Sequence, residues 1–306
     1  MKLALTLFAL TLIGCSKAET THSEAAITST FDTVAMDRLL SEAVSRGDVI
    51  GTSAMVFDEG DVVYQGAFGL SDRERETPVN MDTVWRIYSM TKPVTSVVIM
   101  DLQEEGKLKL SDPVSKYIPK LANMKVAKIG KDEQPTFVPQ AQPITLEDLM
   151  LHRSGMGYGI DVLGRVAEVA EGKSLGEVMN ERIFDPLGMS ETGFGVRPDQ
   201  KARFVSNYYA TDDGSFALAE DGQNSPYSNR KNKFQSGGGG LVSTLGDYAK
   251  FAQMMLDGGT FEDHRVLDEA TVELMMQDHM GQDKSYLQPW LGLIRCPVLA
   301  MVAPFK

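Results

Sequence analysis

Cysteine is scarce in this sequence of 306 residues, which contains only Cys15 and Cys296. If Cys15 is acylated, as argued below, no second cysteine remains for an intramolecular disulfide. Cys296 stands beside Pro297 with no histidine near it in the sequence, so a cysteine nucleophile would have no activating partner. The cysteine content therefore argues against a disulfide framework and against cysteine catalysis.

Positive charge and histidine are also in short supply. Lys and Arg number 30 against 42 Asp and Glu, which gives a formal net charge of -12. The net negative charge of the protein would repel the phosphate backbone of a nucleic acid, so we expect no nucleic-acid partner. The four histidines, His22, His152, His264 and His279, show no metal-ligand spacing. We therefore expect neither a metal ion nor another cofactor.

The apolar run after Lys2, LALTLFALTLI, is too short to span a bilayer as a helix. Residues 1–14 instead have the form of a secretory signal. The run ends in LIGC, which resembles the lipobox of bacterial lipoproteins, where cleavage leaves a lipidated cysteine. We expect a lipid on Cys15, a tether over 15–29, and export to the periplasmic side of the outer membrane, because Ser16 rather than an aspartate follows. A plain signal peptide with a chance cysteine is the alternative.

The remainder, 30–306, has the composition of a folded domain, since the chain is 42% apolar and 24% charged. The spacing of Val34, Leu39, Leu40 and Val44 predicts an amphipathic first helix. Two β-rich runs, TSAMVF and VVYQGAFG, predict an antiparallel hairpin with Gly60 in its turn. A buried helix is expected over 90–105, because apolar residues cover most of its circumference.

Further helices are predicted by TLEDLMLH, DVLGRVAEVAEG, SLGEVMNERIF, STLGDYAKFAQMML and LDEATVELMM. Ser174 with Glu177, and Thr244 with Asp247, have the spacing of N-terminal caps. The connections at 127–143 and 211–236 are polar, and we expect both to be exposed loops. A strand over 293–302 is also conceivable.

Two segments contain a serine three positions ahead of a lysine, and their surroundings differ. YSNRK, with Ser228 and Lys231, lies in a polar stretch where nothing would desolvate the lysine, so we expect a solvated loop. YSMTK, with Ser89 and Lys92, follows a hairpin and opens the buried helix. Because residues three apart share a helix face, these two side chains lie one turn apart.

Ser89 and Lys92 have two interpretations from local chemistry alone. Burial would favour a neutral Lys92 amine, which could accept the Ser89 proton, while the Ser89 backbone N–H could help to bind an oxyanion. Pro93 fits the first helical turn. In the alternative, Ser89 caps the helix and Lys92 extends into solvent.

Four stretches resemble a known family and occur in its order: the region around YSMTK, LEDLMLHRSGMGYG, DVLGRVAEVAEGKSLGEVMNERIFDPLGMSETGF and SGGGGLVSTLGDYAKFAQMML. They are similar to the serine β-lactamase and penicillin-binding-protein superfamily, in particular to class C β-lactamase-like hydrolases and family VIII carboxylesterases. The resemblance implies Ser89 as the acylated nucleophile and Lys92 as its general base. It implies a structural role for His152 and for Gly237 to Gly240.

The resemblance also implies a fold, an α/β (α+β) architecture with an antiparallel sheet flanked by helices and an all-helical region at about 112–260. Two elements of the family are not found. The first is a tyrosine whose phenol relays protons between the serine and the leaving group, and it should precede DVLG. Tyr158 stands there without the usual flanking serine or asparagine, and Tyr227, the alternative, lies far beyond the helix that it should precede. The second is a triplet on a late strand that lines the site, Lys-Thr-Gly or its variants His-x-Gly and Trp-x-Gly, and it has no counterpart here. The chain therefore resembles a member of the family with an internal deletion and a C-terminal truncation, and we expect its sheet to be incomplete.

The resulting expectation is a serine hydrolase that acts on small-molecule esters through an acyl-enzyme. Esters need less protonation of the leaving group than amides, so they tolerate the missing tyrosine better. Activity on β-lactams or D-alanyl peptides is the alternative within the family. The alternative of another class is a non-catalytic lipoprotein that binds cell-wall peptides or is degenerate.

Overall fold

The computed structural model describes residues 31–58, 60–129, 134–228 and 234–279. The predicted signal segment, the tether with Cys15, His22, Lys231, Cys296 and the conceivable strand at 293–302 lie outside these ranges. None of the described helices is both long and apolar enough to cross a membrane.

Seven helices are present in the described residues, and their bounds are as follows: α1 (Thr33–Ser45), α2 (Thr91–Glu104), α3 (Leu146–Met150), α4 (Gly159–Glu171), α5 (Leu175–Met179), α6 (Leu245–Leu256) and α7 (Glu269–Met275). Six of them lie within segments for which the sequence predicts a helix, and α4 begins two residues before its predicted segment, DVLGRVAEVAEG. A short 3-10 turn, Tyr88–Met90, leads directly into α2.

Eleven short strands occur in the same ranges: β1 (Gly51–Asp58), β2 (Asp61–Asp72), β3 (Thr77–Pro78), β4 (Val84–Arg86), β5 (Lys125–Ile129), β6 (Pro135–Pro139), β7 (Asn207–Ala210), β8 (Phe216–Glu220), β9 (Val242–Thr244), β10 (Thr260–Phe261) and β11 (His264–Arg265). β1, β2 and β3 form a three-stranded antiparallel sheet in that order, and the other strands form antiparallel pairs. The predicted hairpin is confirmed, with Gly51 opposite Gly69 and Val56 opposite Tyr64.

The main hydrophobic core lies among the helices, and α2 runs through it. Eight of the fourteen residues of α2 are buried, including Val97, Val98 and Leu102. Leu163 of α4, Val178 of α5 and Met254 of α6 belong to the same buried cluster. The prediction of a buried second helix is therefore confirmed.

Local side-chain caps fix where several helices begin. Ser174 and Glu177 form the predicted capping box at α5, and the Thr244 hydroxyl accepts a hydrogen bond from the Asp247 backbone at α6. A further capping box, Thr145 with Asp148, opens α3. These caps satisfy backbone N–H groups that have no partner within the helix.

Three sequence-based expectations about local structure were wrong in part. The segments 127–143 and 211–236 contain strands β6 and β8, so the region at about 112–260 is not purely helical. β6 pairs with β5 and β8 pairs with β7. Because these strands contain polar residues, neither member of a pair shows an alternating apolar pattern by itself, and the sequence does not reveal the pairing. In α1, Val34 and Leu39 are 76% and 58% exposed, so the apolar stripe is narrower than its spacing predicts.

Candidate active site

The site begins where β4 leads into the 3-10 turn and α2. Ser89 lies in the turn and is exposed, while Lys92 lies in the first turn of α2 and is partly buried. Lys92 Nζ lies 2.8 Å from Ser89 Oγ. The structure therefore brings together the two residues that the sequence singles out, at hydrogen-bond distance.

The backbone just before Ser89 is strained. Tyr88 has φ of 42°, in the left-handed region that non-glycine residues rarely adopt. Its phenol oxygen accepts a hydrogen bond from Asn207 Nδ2 at 3.0 Å, and the neighbouring Ile87 N–H donates to Leu241 O at 3.1 Å. Such strain costs of order 1–3 kcal/mol and persists where surrounding contacts hold it. The contacts fix the direction in which Ser89 projects.

A glycine-rich loop, Gly237 to Leu241, forms one wall of the site. The pairing of β4 with β9 places it there, since Arg86 lies opposite Val242. Lys92 Nζ donates to Gly238 O at 2.6 Å, and Thr95 Oγ1 donates to Gly237 O at 2.7 Å. The loop therefore holds the lysine as well as the helix that carries it.

The glycines in this loop are required by close approach to the start of α4. A Cβ on Gly237 would lie 2.9 Å from Ile160 O, and one on Gly238 would lie 2.7 Å from Asp161 Oδ2. Asp161 also accepts hydrogen bonds from the Gly238 N–H at 3.2 Å and from the Ser236 hydroxyl. A side chain at position 237 would force the loop and the start of α4 apart, and one at position 238 would displace the Asp161 carboxylate.

Burial and charge act in opposite directions on Lys92. Partial burial lowers the pKa of its ammonium below 10.5, because the charged form loses solvation, while the Asp161 carboxylate opposes this change by favouring the ammonium. The net direction is downward. At a given pH, a larger fraction of Lys92 is therefore in the neutral form that can accept a proton than for a solvent-exposed lysine.

Neither tyrosine proposed as a relay makes a described hydrogen bond to Ser89 or Lys92. Tyr158 is the N-cap residue of α4, and its side chain is 78% exposed. Tyr227 is partly buried, its ring 6.0 Å from that of Phe204, and burial raises the pKa of its phenol. Their assignment as relays stays a prediction.

Two other tyrosines, Tyr88 and Tyr248, lie at the site, and sequence reasoning did not single them out. Burial raises the pKa of the Tyr88 phenol. The Tyr248 hydroxyl donates to Met90 O at 3.1 Å, and burial raises its pKa to about 12. A phenol with so high a pKa stays protonated near neutral pH, so Tyr248 supports the turn as a donor.

The other residues considered from the sequence lie in distinct environments. His152 has φ of 57°, and partial burial together with the Lys92 charge lowers the pKa of its imidazole. No described hydrogen bond joins His152 to Ser89 or Lys92. Ser228 is half-buried beside Tyr227 rather than solvated, which corrects the expectation of a fully exposed loop. Within the described ranges, no cluster of three or more side chains is arranged to hold a metal ion.

Asp161 and Gly238 are two further site residues whose contacts with this region sequence reasoning missed. The contact between Gly238 and Lys92 joins residues 146 positions apart, so no local pattern reports it. The run of four glycines was the available signal, because such runs mark close approach of the backbone to another group. We interpreted it only as backbone geometry before a helix.

Comparison with known proteins decides the family. The sequence model of the Beta-lactamase family matches residues 36–283, which is most of the chain. The chain belongs to the β-lactamase family. The predicted membership in the serine β-lactamase and penicillin-binding-protein superfamily is thereby confirmed, and with it the α+β fold class.

Individual relatives span most of the chain. Protein Rv1367c of Mycobacterium tuberculosis is 29% identical over 290 residues, covering 80% of this chain and 72% of the relative. Lovastatin esterase of Penicillium rubens is 29% identical over 300 residues, covering 81% and 73%. The structure of a LovD6 mutant of the simvastatin synthase LovD from Aspergillus terreus has a TM-score of 0.71 and 24% identity, covering 85% and 72%. The last likeness concerns the fold.

Proposed function

We propose that this protein is a serine hydrolase that cleaves esters through an acyl-enzyme, with Ser89 as nucleophile and Lys92 as general base. The observation that carries the proposal is the 2.8 Å separation of Ser89 Oγ and Lys92 Nζ, at a lysine whose burial lowers its pKa. A neutral amine at this distance can accept the hydroxyl proton. Similarity to a lovastatin esterase supports an ester as the substrate.

The reaction proceeds in two balanced halves. Ser89 Oγ bonds to the ester carbonyl carbon while its proton moves to Lys92 Nζ; the bond to the alcohol oxygen then breaks, and Lys92 returns the proton to that oxygen. Water next attacks the acyl-enzyme, gives a proton to Lys92, and releases the acid as Ser89 Oγ takes the proton back. The Ser89 backbone N–H, at the entrance to α2, is a candidate donor to the oxyanion in both halves.

Esters suit this site better than amides do. An amide nitrogen must be protonated as it leaves, which is the task assigned to the family's tyrosine, and neither Tyr158 nor Tyr227 makes a described hydrogen bond to Ser89 or Lys92. An alcohol is a better leaving group and places less demand on a proton donor. Cleavage of β-lactams or D-alanyl peptides is the second candidate, favoured by the Beta-lactamase family match.

The test is labelling of the purified full-length chain with a fluorophosphonate and, separately, with a penicillin, followed by intact-mass analysis. We expect one fluorophosphonate adduct, which peptide mapping places on Ser89, and hydrolysis of a short-chain aryl ester. Ser89→Ala should remove both. Ser228→Ala, at the other Ser-x-x-Lys segment, is the matched control and should remove neither.

The outcomes separate the candidates. A stable adduct with penicillin alone would favour the penicillin-recognising branch. Absence of any adduct from a protein that melts cooperatively would favour the non-catalytic alternative. Unchanged ester turnover in Ser89→Ala would exclude Ser89 as the nucleophile.

We also propose that the protein is exported and anchored through a lipid on Cys15, on the strength of the LIGC segment. Membrane contact would then be through the N-terminal lipid. Expression in a bacterium followed by fractionation tests this: the wild-type chain should be found with the membranes, and Cys15→Ala should not carry lipid. An unmodified Cys15 by mass spectrometry would contradict the proposal.

A further inference from the structure

A cavity of about 480 Å³ lies beside Lys92, along α2. Lys92, Pro93, Ser96 and Met100 of α2 line it on one side. The segment that joins α3 to α4, together with α6 and α7, completes the wall. Its volume is within the usual range for small-molecule sites, roughly 300–1,000 Å³.

The wall of this cavity is apolar and rich in methionine. Five methionines contribute to it: Met100, Met150, Met255, Met275 and Met276. Methionine is unbranched and flexible, so such a wall adapts to chains of different shape. The polar residues on the wall are Lys92, Ser96, Glu147, His152 and His279, and the other ten lining residues are apolar.

The cavity and the proposed nucleophile share Lys92. Its side chain lines the cavity, and its Nζ lies 2.8 Å from Ser89 Oγ, so the Ser89 hydroxyl is one side chain away from the cavity. From Lys92 to Met100 the helix rises by about 12 Å, at 1.5 Å per residue. That length admits an extended alkyl chain laid along α2.

The glycine-rich loop occupies the other side of Lys92. Hydrogen bonds from Lys92 to Gly238 O and from Thr95 to Gly237 O hold the loop against α2. An acyl group must stay bonded to Ser89 while water attacks, whereas the alcohol departs. The group that benefits from a lined cavity beside Ser89 is therefore the acyl chain.

We propose that this cavity binds the acyl chain of the substrate and that the enzyme prefers esters of medium-chain and longer fatty acids to acetate esters. This inference rests on the proposed function and adds its substrate class. Burial of the chain against methionine removes its methylenes from water, which supplies the binding energy.

The test compares para-nitrophenyl acetate with para-nitrophenyl octanoate. Ser96→Phe narrows the cavity one turn beyond Lys92, and acetate turnover reports whether the Ser89–Lys92 pair is disturbed. We expect kcat/KM for octanoate to fall about tenfold or more while kcat/KM for acetate stays within about threefold, because a filled pocket rejects only the longer chain. Ser41→Phe, on the exposed surface of α1, is the matched control and should leave the ratio unchanged.

A second variant keeps the test decisive if Ser96→Phe does not fold. Met276 is 66% exposed at the edge of the cavity, so Met276→Ala should fold normally and lower the octanoate-to-acetate ratio about two- to fivefold. Hydrolysis of acetyl esters of short and long alcohols by wild type and variants distinguishes an acyl site from an alcohol site.

Each result has one meaning. A ratio unchanged in the folded cavity variants, with wild-type acetate turnover intact, would overturn the acyl site and leave the proposed function standing. Selectivity that follows the alcohol chain instead would also overturn it. Absence of acetate and octanoate turnover in wild type would overturn the proposed function, and the acyl site with it.

Discussion

The helix that carries the candidate nucleophile and the three-stranded sheet differ sharply in how deeply they are packed. α2 has eight buried residues out of fourteen, whereas β1, with eight residues, has none. The first turn of α2 is also hydrogen-bonded to the glycine-rich loop, while β1 is an edge strand of the described sheet. Ser89 and Lys92, which we propose as the catalytic pair, are therefore carried by the more deeply packed of these two elements.

This contrast has a physical consequence for function. A catalytic pair must be held in one geometry, which buried neighbours and satisfied hydrogen bonds provide. An edge strand with partly exposed side chains contributes less to stability and opens more readily. We therefore expect variants at α2 and its loop to change activity and stability more than variants in the sheet.

The largest expected effect is on turnover, in Lys92→Met. Methionine keeps the length and apolar stem of lysine but cannot accept a proton, so kcat/KM on a short-chain aryl ester should fall roughly 10²–10⁴-fold. The melting temperature should fall by a few degrees at most, because the lost hydrogen bond to Gly238 O is partly offset by the burial of an apolar side chain in place of an amine. Lys109→Met, at an exposed lysine, is the control. Retention of more than about a tenth of the activity in Lys92→Met would refute the role of Lys92 as base.

The next effect is on stability. The same change, valine to alanine, is made once in α2 and once in β1 to compare how tightly the two elements are packed. Val97 in α2 is 0% exposed, and Val97→Ala leaves a cavity in the core, so we expect a loss of about 2–3 kcal/mol in the free energy of unfolding. Val56 in β1 is partly exposed, and Val56→Ala should cost roughly 1 kcal/mol or less. Urea titration of both variants measures the difference. Equal losses would mean that the sheet is packed as firmly as the helices.

A smaller effect is expected in the pH dependence of turnover. Activity requires neutral Lys92, so it should rise as the pH passes upward through the lysine pKa, which burial lowers. Asp161 favours the ammonium, and Asp161→Asn removes that charge while keeping an acceptor for the Gly238 N–H. The pKa of Lys92 should fall further, and the acid limb of the kcat/KM profile should move to lower pH, with turnover at neutral pH about two- to fivefold higher.

A matched carboxylate gives this prediction its control. Asp199 is exposed and pairs with Arg197, remote in sequence from the Ser89 segment, so Asp199→Asn should leave the acid limb in place. A shift to higher pH in Asp161→Asn would show that Asp161 acts on Lys92 mainly by positioning the loop.

Much of the helical part could be predicted from the sequence because its signals are local. The continuous apolar surface of α2 and the caps at Ser174 and Thr244 lie within a few residues of the elements they define. The Ser89–Lys92 contact is local for the same reason, since it spans one helical turn.

The parts that escaped prediction depend on contacts between distant segments. The β5–β6 and β7–β8 hairpins are stabilised by pairing across polar residues, so neither strand is distinctive alone. The contact between Lys92 and Gly238 and the influence of Asp161 on Lys92 arise only when α2, α4 and the glycine-rich loop are brought together. A pattern of three or four residues carries no information about such distances.

The smallest expected effect is at His152, which lies beside the site. Its substitution tests whether the imidazole takes part in catalysis together with Ser89 and Lys92. Its imidazole lines the same cavity as Lys92 but makes no described hydrogen bond to the pair. His152→Asn preserves a residue that tolerates φ of 57°, so kcat/KM at neutral pH should stay within about threefold of wild type. His264→Asn, at an exposed histidine, is the control and measures how much a histidine-to-asparagine change elsewhere alters kcat/KM. A loss beyond about tenfold at His152 alone would make the imidazole a participant in proton transfer, and the role that we assign to Lys92 would then be shared.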